Sequence, residues 1–138
     1  MSLTPSTMLA LGTPAPAFAL PEVTSNKTIT LDSFKGTRAL VVMFICRHCP
    51  YVVHIQEELA RLGRDYAGTS VALVAISAND ATTHPDDSRP GNNVPVSGKD
   101  LRAAVTAVLA NQPVSIAQKP SMGCNIKWKP GNAPAYAR

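Results

Sequence analysis

Ala39-Leu40-Val41-Val42-Met43-Phe44-Ile45, followed at once by Cys46-Arg47-His48-Cys49-Pro50, is the stretch that decides the fold. The apolar run is unbroken and rich in β-branched residues, the pattern of a strand buried on both faces, as in a parallel sheet. From Tyr51 the period changes. Val52, Ile55, Leu59, Leu62 and Tyr66 recur at steps of three and four and mark one face of a helix. Glu57 and Arg61 are spaced as an i,i+4 pair on another face, and Gly68 closes the helical region. Val71-Ala72-Leu73-Val74-Ala75-Ile76 then reads as a second buried strand. Strand, helix, strand in this order is a βαβ unit, which implies parallel strands and a right-handed crossover. The fold class is α/β.

Upstream of this unit, Pro14, Pro16 and Pro21 surround Phe18 and Leu20. Proline removes ladder donors, so this N-terminal segment reads as extended edge or loop. Thr28-Ile29-Thr30-Leu31 alternates and is a short strand candidate. Asp32 is placed to cap a helical turn over Ser33-Phe34-Lys35, which Gly36 ends. Downstream, residues 77–98 are polar and rich in proline, asparagine and aspartate, with no periodicity. A structureless stretch of that length is unusual inside a compact domain. Ser97 and Asp100 resemble a capping box, and Leu101, Val105 and Val108 begin another helical face ending near Asn111. From Pro113 to Arg138 the chain reads as an extended tail that packs through Ile126 and Trp128.

Composition bounds the function. The 138 residues fit a single domain, and 45% hydrophobic with 16% charged residues is globular composition. Twelve prolines are many for this length and aromatics, at 5%, are few, so the core must be built largely from aliphatic side chains. No apolar run approaches a bilayer span, which argues against a membrane protein. Met1 to Leu11 holds no basic residue ahead of its apolar ones, which argues against a secretory signal and for a cytoplasmic setting with reduced thiols. The net charge of +4 is mild. Lys127 and Lys129 around Trp128 make too thin a basic stripe for nucleic-acid binding.

Three cysteines are too few for a disulfide scaffold. Their placement points to chemistry instead. Cys46-x-x-Cys49 lies between a buried strand and a helix N-terminus, where unpaired N–H groups and the helix dipole favour negative charge. Arg47 and a protonated His48 add positive charge. These effects are expected to lower the pKa of Cys46 and raise its thiolate fraction. Cys49 lies close enough to resolve a mixed disulfide, and Pro50 suits the first helical turn because its missing N–H costs nothing there. A zinc reading would add His48, His54 or Cys124 to the pair, but no second C-x-x-C or H-x₃-H accompanies it, so no metal or other cofactor is assigned. His54 is read as a helix-face residue.

Phe44-Ile45-Cys46-Arg47-His48-Cys49-Pro50-Tyr51-Val52 resembles the active-site segment of the thioredoxin-like, peroxiredoxin-like family of bacterial redox proteins. Leu11-Gly12-Thr13-Pro14-Ala15-Pro16-Ala17-Phe18 is similar to the opening of the alkyl hydroperoxide reductase and thiol-specific antioxidant group. Asp87-Ser88-Arg89-Pro90-Gly91-Asn92-Asn93 and Gly123-Cys124-Asn125-Ile126-Lys127-Trp128-Lys129 also look like this subfamily. The resemblance covers nearly the whole chain in two blocks that meet near residue 87. It implies a thioredoxin-like fold, redox activity and, at Cys124, a candidate third thiol.

Two departures qualify it. A peroxiredoxin site resembles P-x-x-x-T/S-x-x-C. Counting back from Cys49, those positions hold Cys46 and Val42; counting back from Cys46, they hold Met43 and Ala39. The resemblance therefore favours dithiol–disulfide exchange over peroxide reduction. A thioredoxin-like domain also continues after its βαβ unit with a helix and two strands, the first starting after a cis-proline that faces the C-x-x-C pair. Between Ile76 and Leu101 nothing is apolar enough for these. Pro85-Asp86-Asp87-Ser88 reads as a join, with an internal deletion or a gap near 86–88. Such a chain would expose the Ala39–Ile45 strand as a hydrophobic edge prone to pair with another chain.

The expected function is a thiol–disulfide oxidoreductase, impaired to the extent that the missing segment matters. Its substrates would be a disulfide-containing protein or a small thiol. The alternatives are a thiol-dependent peroxidase and a non-catalytic metal-binding or scaffold protein.

Overall fold

A computed structural model describes residues 4–22, 24–46, 49–77 and 96–135. In chain order its elements are β1 (Thr4–Pro5), β2 (Ala19–Pro21), β3 (Thr28–Thr30), β4 (Ala39–Ile45), α1 (Pro50–Tyr66), β5 (Val71–Ser77), α2 (Lys99–Leu109) and β6 (Met122–Gly123). The βαβ unit forms as expected. β4 and β5 are parallel, with Ala39 opposite Val71 and Ile45 opposite Ser77, and α1 crosses between them. The result is a mixed α/β molecule consistent with a thioredoxin-like fold. Among the described residues this sheet has two strands, and no peptide bond is cis. The join near 86–88 lies outside the described residues.

The two faces of the sheet differ, which corrects the reading of β4 as buried on both sides. Successive strand residues point to opposite faces. Phe44 is 66% exposed and Val42 39%, and both lie on one face. The core lies on the other side, where α1 packs against β5 and α2 against β4. Among the described residues its buried apolar members are Cys49, Leu62, Val71 and Val105. Both helices cover one face because a single residue ties them together. Arg102 of α2 bonds Glu58 of α1 through Nε at 3.1 Å and Nη2 at 3.0 Å, and its Nη1 pairs with Asp65 at 2.8 Å.

Glu58 is buried, and burial alone would raise its pKa. The hydrogen bonds from Arg102 and Arg61 outweigh that and hold its carboxyl below the ordinary range. Arg61 thus pairs with Glu58, one turn away at i,i+3, and not with Glu57 as its spacing suggested. Glu58 faces the second helix, where Arg102 draws the charge inward, whereas Glu57 faces solvent.

Local caps also differ from expectation. The turn before β4 is a 3-10 turn, Leu31–Phe34, capped by Thr30. Its N–H donates to Ser33 Oγ at 3.1 Å. Asp32 pairs instead with Lys35 at 2.9 Å. The N-cap of α2 is Gly98, not Ser97. Gly98 has φ of 61°, and a Cβ there would sit 2.6 Å from Glu58 Oε1. Only glycine suits a left-handed backbone pressed this closely on a buried carboxylate. At the other end of α2, Arg38 donates to the carbonyl of Leu109, so the residue before β4 caps the helix.

Two smaller ladders complete the structure. β2 and β3 pair antiparallel as a hairpin, and Phe18 beside it meets Phe34 with ring centroids 6.5 Å apart. β1 pairs antiparallel with β6, with Thr4 opposite Gly123. The segment after Pro113 is extended, but this ladder anchors it.

Candidate active site

Cys46 follows the last residue of β4, and Cys49 is the N-cap of α1, with an extended backbone at φ −72° and ψ 122°. Pro50 opens the helix as expected and is buried. The Cys49 N–H approaches the carbonyl of Cys46 at 3.5 Å, and the Cys49 carbonyl accepts from Val53 at 2.9 Å. Cys49 is only 6% exposed, whereas Cys46 is half-buried. Arg47 and His48 lie outside the described residues.

The helix terminus acts on Cys49. An N-cap side chain faces the second and third N–H groups of its helix, here those of Tyr51 and Val52. Burial alone would raise the Cys49 pKa. The N–H groups of Val52, Cys124 and Tyr51, with the Cys124 thiol, outweigh it and hold the thiol below its ordinary value. No short side-chain cap forms, but N–H dipoles gathered around one sulfur favour its diffuse charge.

Cys124 comes from the far end of the chain. It follows β6 directly, and its Sγ lies 3.6 Å from Cys49 Sγ across 75 residues of sequence. The β1–β6 ladder sets this placement, extended by the Ser6 N–H to the Ser121 carbonyl at 2.8 Å. Burial, the hydrogen bond with Cys49 and the negative charges of Cys49 and Cys46 push the Cys124 thiol up to about 11, against a small opposing effect of Lys127. The three thiols therefore form one electrostatic cluster, and no disulfide joins them.

Sequence reasoning did not find the contribution of the Cys124 main-chain N–H to Cys49. No local signal marks it, because the contact depends on how β6 pairs with the N-terminal strand. His54 is half-buried on α1. Among the described residues no group of three His, Cys, Asp or Glu side chains is placed to hold a metal ion, and no helix is long and apolar enough to cross a membrane.

Comparisons with known proteins agree with this fold. The chain is similar to an uncharacterized conserved protein from Geobacillus kaustophilus, at 36% identity and a TM-score of 0.85, over 94% of this chain and 98% of that one. It is also similar to a hypothetical protein from Sinorhizobium meliloti 1021, at 36% identity and a TM-score of 0.84, over 93% of this chain and all of that one. No functionally curated protein matches. The model of the AhpC/TSA family matches residues 11–90, a span that runs from the N-terminal segment through β4, the thiols at the start of α1 and β5. A thioredoxin-like, peroxiredoxin-type domain with a redox function follows, and the chain belongs to the AhpC/TSA family.

Proposed function

We propose that the protein is a thiol–disulfide oxidoreductase that uses Cys46 and Cys49. The observation that carries this reading is the pairing of a half-buried thiol, Cys46, with a buried one, Cys49, whose surroundings favour the thiolate. The thiolate is the attacking species in exchange, and access decides which thiol meets the substrate.

Cys46, as thiolate, attacks a disulfide of a protein or small-molecule substrate. A bond forms between Cys46 Sγ and one substrate sulfur. The substrate disulfide breaks, and its other sulfur leaves with the electron pair and takes a proton. The Cys49 thiolate then attacks Cys46 Sγ, closes the Cys46–Cys49 bond and releases the second substrate thiol. The substrate is reduced by two electrons and the protein dithiol is oxidised by two. Peroxide reduction has less support, because neither cysteine has the Thr/Ser and Pro partners spaced for a peroxide pocket.

Insulin reduction driven by a dithiol tests the reading. The wild-type chain should accelerate it and Cys46→Ser should not. Equal rates for the two would overturn the assignment.

A further inference from the structure

We propose that Cys124 is a second partner for Cys49, and that the two close a disulfide joining the start of α1 to the segment after β6. The exchange reading supplies the oxidised Cys46–Cys49 pair from which this disulfide forms. The juxtaposition itself stands on geometry alone.

The two sulfurs are 3.6 Å apart. A disulfide bond is roughly 2.05 Å long, so the two sulfurs have about 1.5 Å left to close. The main chain of Cys124 is also at hand, because its N–H faces the Cys49 sulfur. Its position is held from outside the site by the pairing of Thr4 with Gly123 and Pro5 with Met122. A cysteine that only packed against the core would need neither contact with a thiol that favours its charged form.

The step is an internal exchange. Cys124 gives its proton to solvent and attacks Cys49 Sγ. The Cys49–Cys124 bond forms, the Cys46–Cys49 bond breaks, and the electron pair leaves with Cys46 Sγ, which is protonated or stays as thiolate. The number of disulfides is unchanged, and the only oxidant is the substrate disulfide already consumed. An external dithiol later reduces the Cys49–Cys124 bond.

The electrostatics order the steps. In the reduced protein burial, the hydrogen bond with Cys49 and the charges of Cys49 and Cys46 keep the Cys124 proton in place. Once those two sulfurs are joined, both charges and the hydrogen bond to the Cys49 thiolate are gone; burial still opposes the Cys124 thiolate, and Lys127 still favours it. Cys124 thus gives up its proton more readily, and attacks more readily, after the outer pair is oxidised. The result returns Cys46 to the reduced state and moves the disulfide from Cys46–Cys49 to Cys49–Cys124.

The test uses the full chain. Cys46→Ser, titrated with oxidised glutathione, leaves Cys49 and Cys124 as its thiols. The proposal expects both to disappear together, with a linked peptide pair containing Cys49 and Cys124 recovered by mass spectrometry. Glutathione adducts on separate cysteines, dimers linked between chains, or retention of both thiols would overturn it. A second measurement covers a variant that fails to fold. Wild type oxidised with one equivalent of oxidised glutathione and then alkylated should carry the label on Cys46. Cys124→Ser treated alike should carry none there. Equal labelling of Cys46 in the two would overturn the proposal. Insulin reduction reports the exchange reading separately. An inactive wild type whose Cys46→Ser variant still forms the Cys49–Cys124 bond rejects that reading alone, and the reverse pattern rejects this inference alone.

Discussion

On the face of the β4–β5 sheet that meets the helices, Val71 is 6% exposed, and Leu62 of α1 and Val105 of α2 are 1% and 4% exposed. On the opposite face Phe44 is 66% exposed and Val42 39%. Both faces descend from equally apolar strands, so hydrophobicity did not decide which one closed. The closed side has a polar clamp as well as apolar contacts. Arg102 reaches two carboxylates on α1, and Arg38 reaches the last carbonyl of α2. Nothing comparable covers the open side among the described residues. Stability is therefore expected to be one-sided, and the cysteine cluster sits where the closed side meets the end of β4.

Substitutions on the two faces should separate them. Leu62→Ala removes the most buried side chain and should cost about 3 kcal/mol in urea unfolding, since buried leucine truncation loses both transfer energy and packing. A loss near zero would show that the helices do not form the core. Gly98→Ala forces a Cβ into a left-handed position against Glu58 and should cost about 2 kcal/mol, seen as a lower thermal midpoint. An unchanged midpoint would mean that the α2 start is not pressed on the clamp.

Glu58→Gln should lower the midpoint at neutral pH by less than Leu62→Ala does. Its effect should depend on pH. A carboxyl with a depressed folded pKa contributes stability above its unfolded pKa of about 4.3, and that contribution is lost as pH falls through the lower folded value. The gap between wild type and Glu58→Gln should accordingly narrow in acid. A gap that stays constant from neutral to acid pH would remove the charge from the account of the clamp.

Phe44→Ser should have the smallest effect on unfolding, within about 0.5 kcal/mol, because its side chain is already mostly in water. A large loss would show that the open face is covered in solution. Gel filtration over a range of concentrations then tests the expectation that the Ala39–Ile45 edge pairs with another chain. A single monomeric elution volume for wild type at every concentration would reject it.

Much of this was legible in the residues. The apolar run at Ala39–Ile45, the three-and-four spacing after Tyr51 and the second run at Val71 specify β4, α1 and β5 almost to the residue, because burial of one helix face and one strand pattern leaves few other arrangements. Cys49-Pro50 marked the helix start for the same local reason. The misreadings were of contacts with more than one candidate partner. Arg61 had both Glu57 and Glu58 within reach on the same helix, and the presence of Arg102 selected Glu58. Ser97 and Gly98 both suited a helix start, and the close approach of Glu58 required the residue without a side chain.

The sequence by itself determined that this chain carries a βαβ unit with two thiols at the mouth of its helix, because hydrophobic period and N-terminal helix chemistry act over a few residues. The tertiary structure decided which groups gather around Cys49, which face of the sheet is covered and where Cys124 lies. Those outcomes depend on pairings across long stretches of chain: β1 with β6, Arg102 with Glu58, and Cys124 with Cys49. Loop closure over such distances is set by the packing of the whole molecule, and no local pattern encodes it.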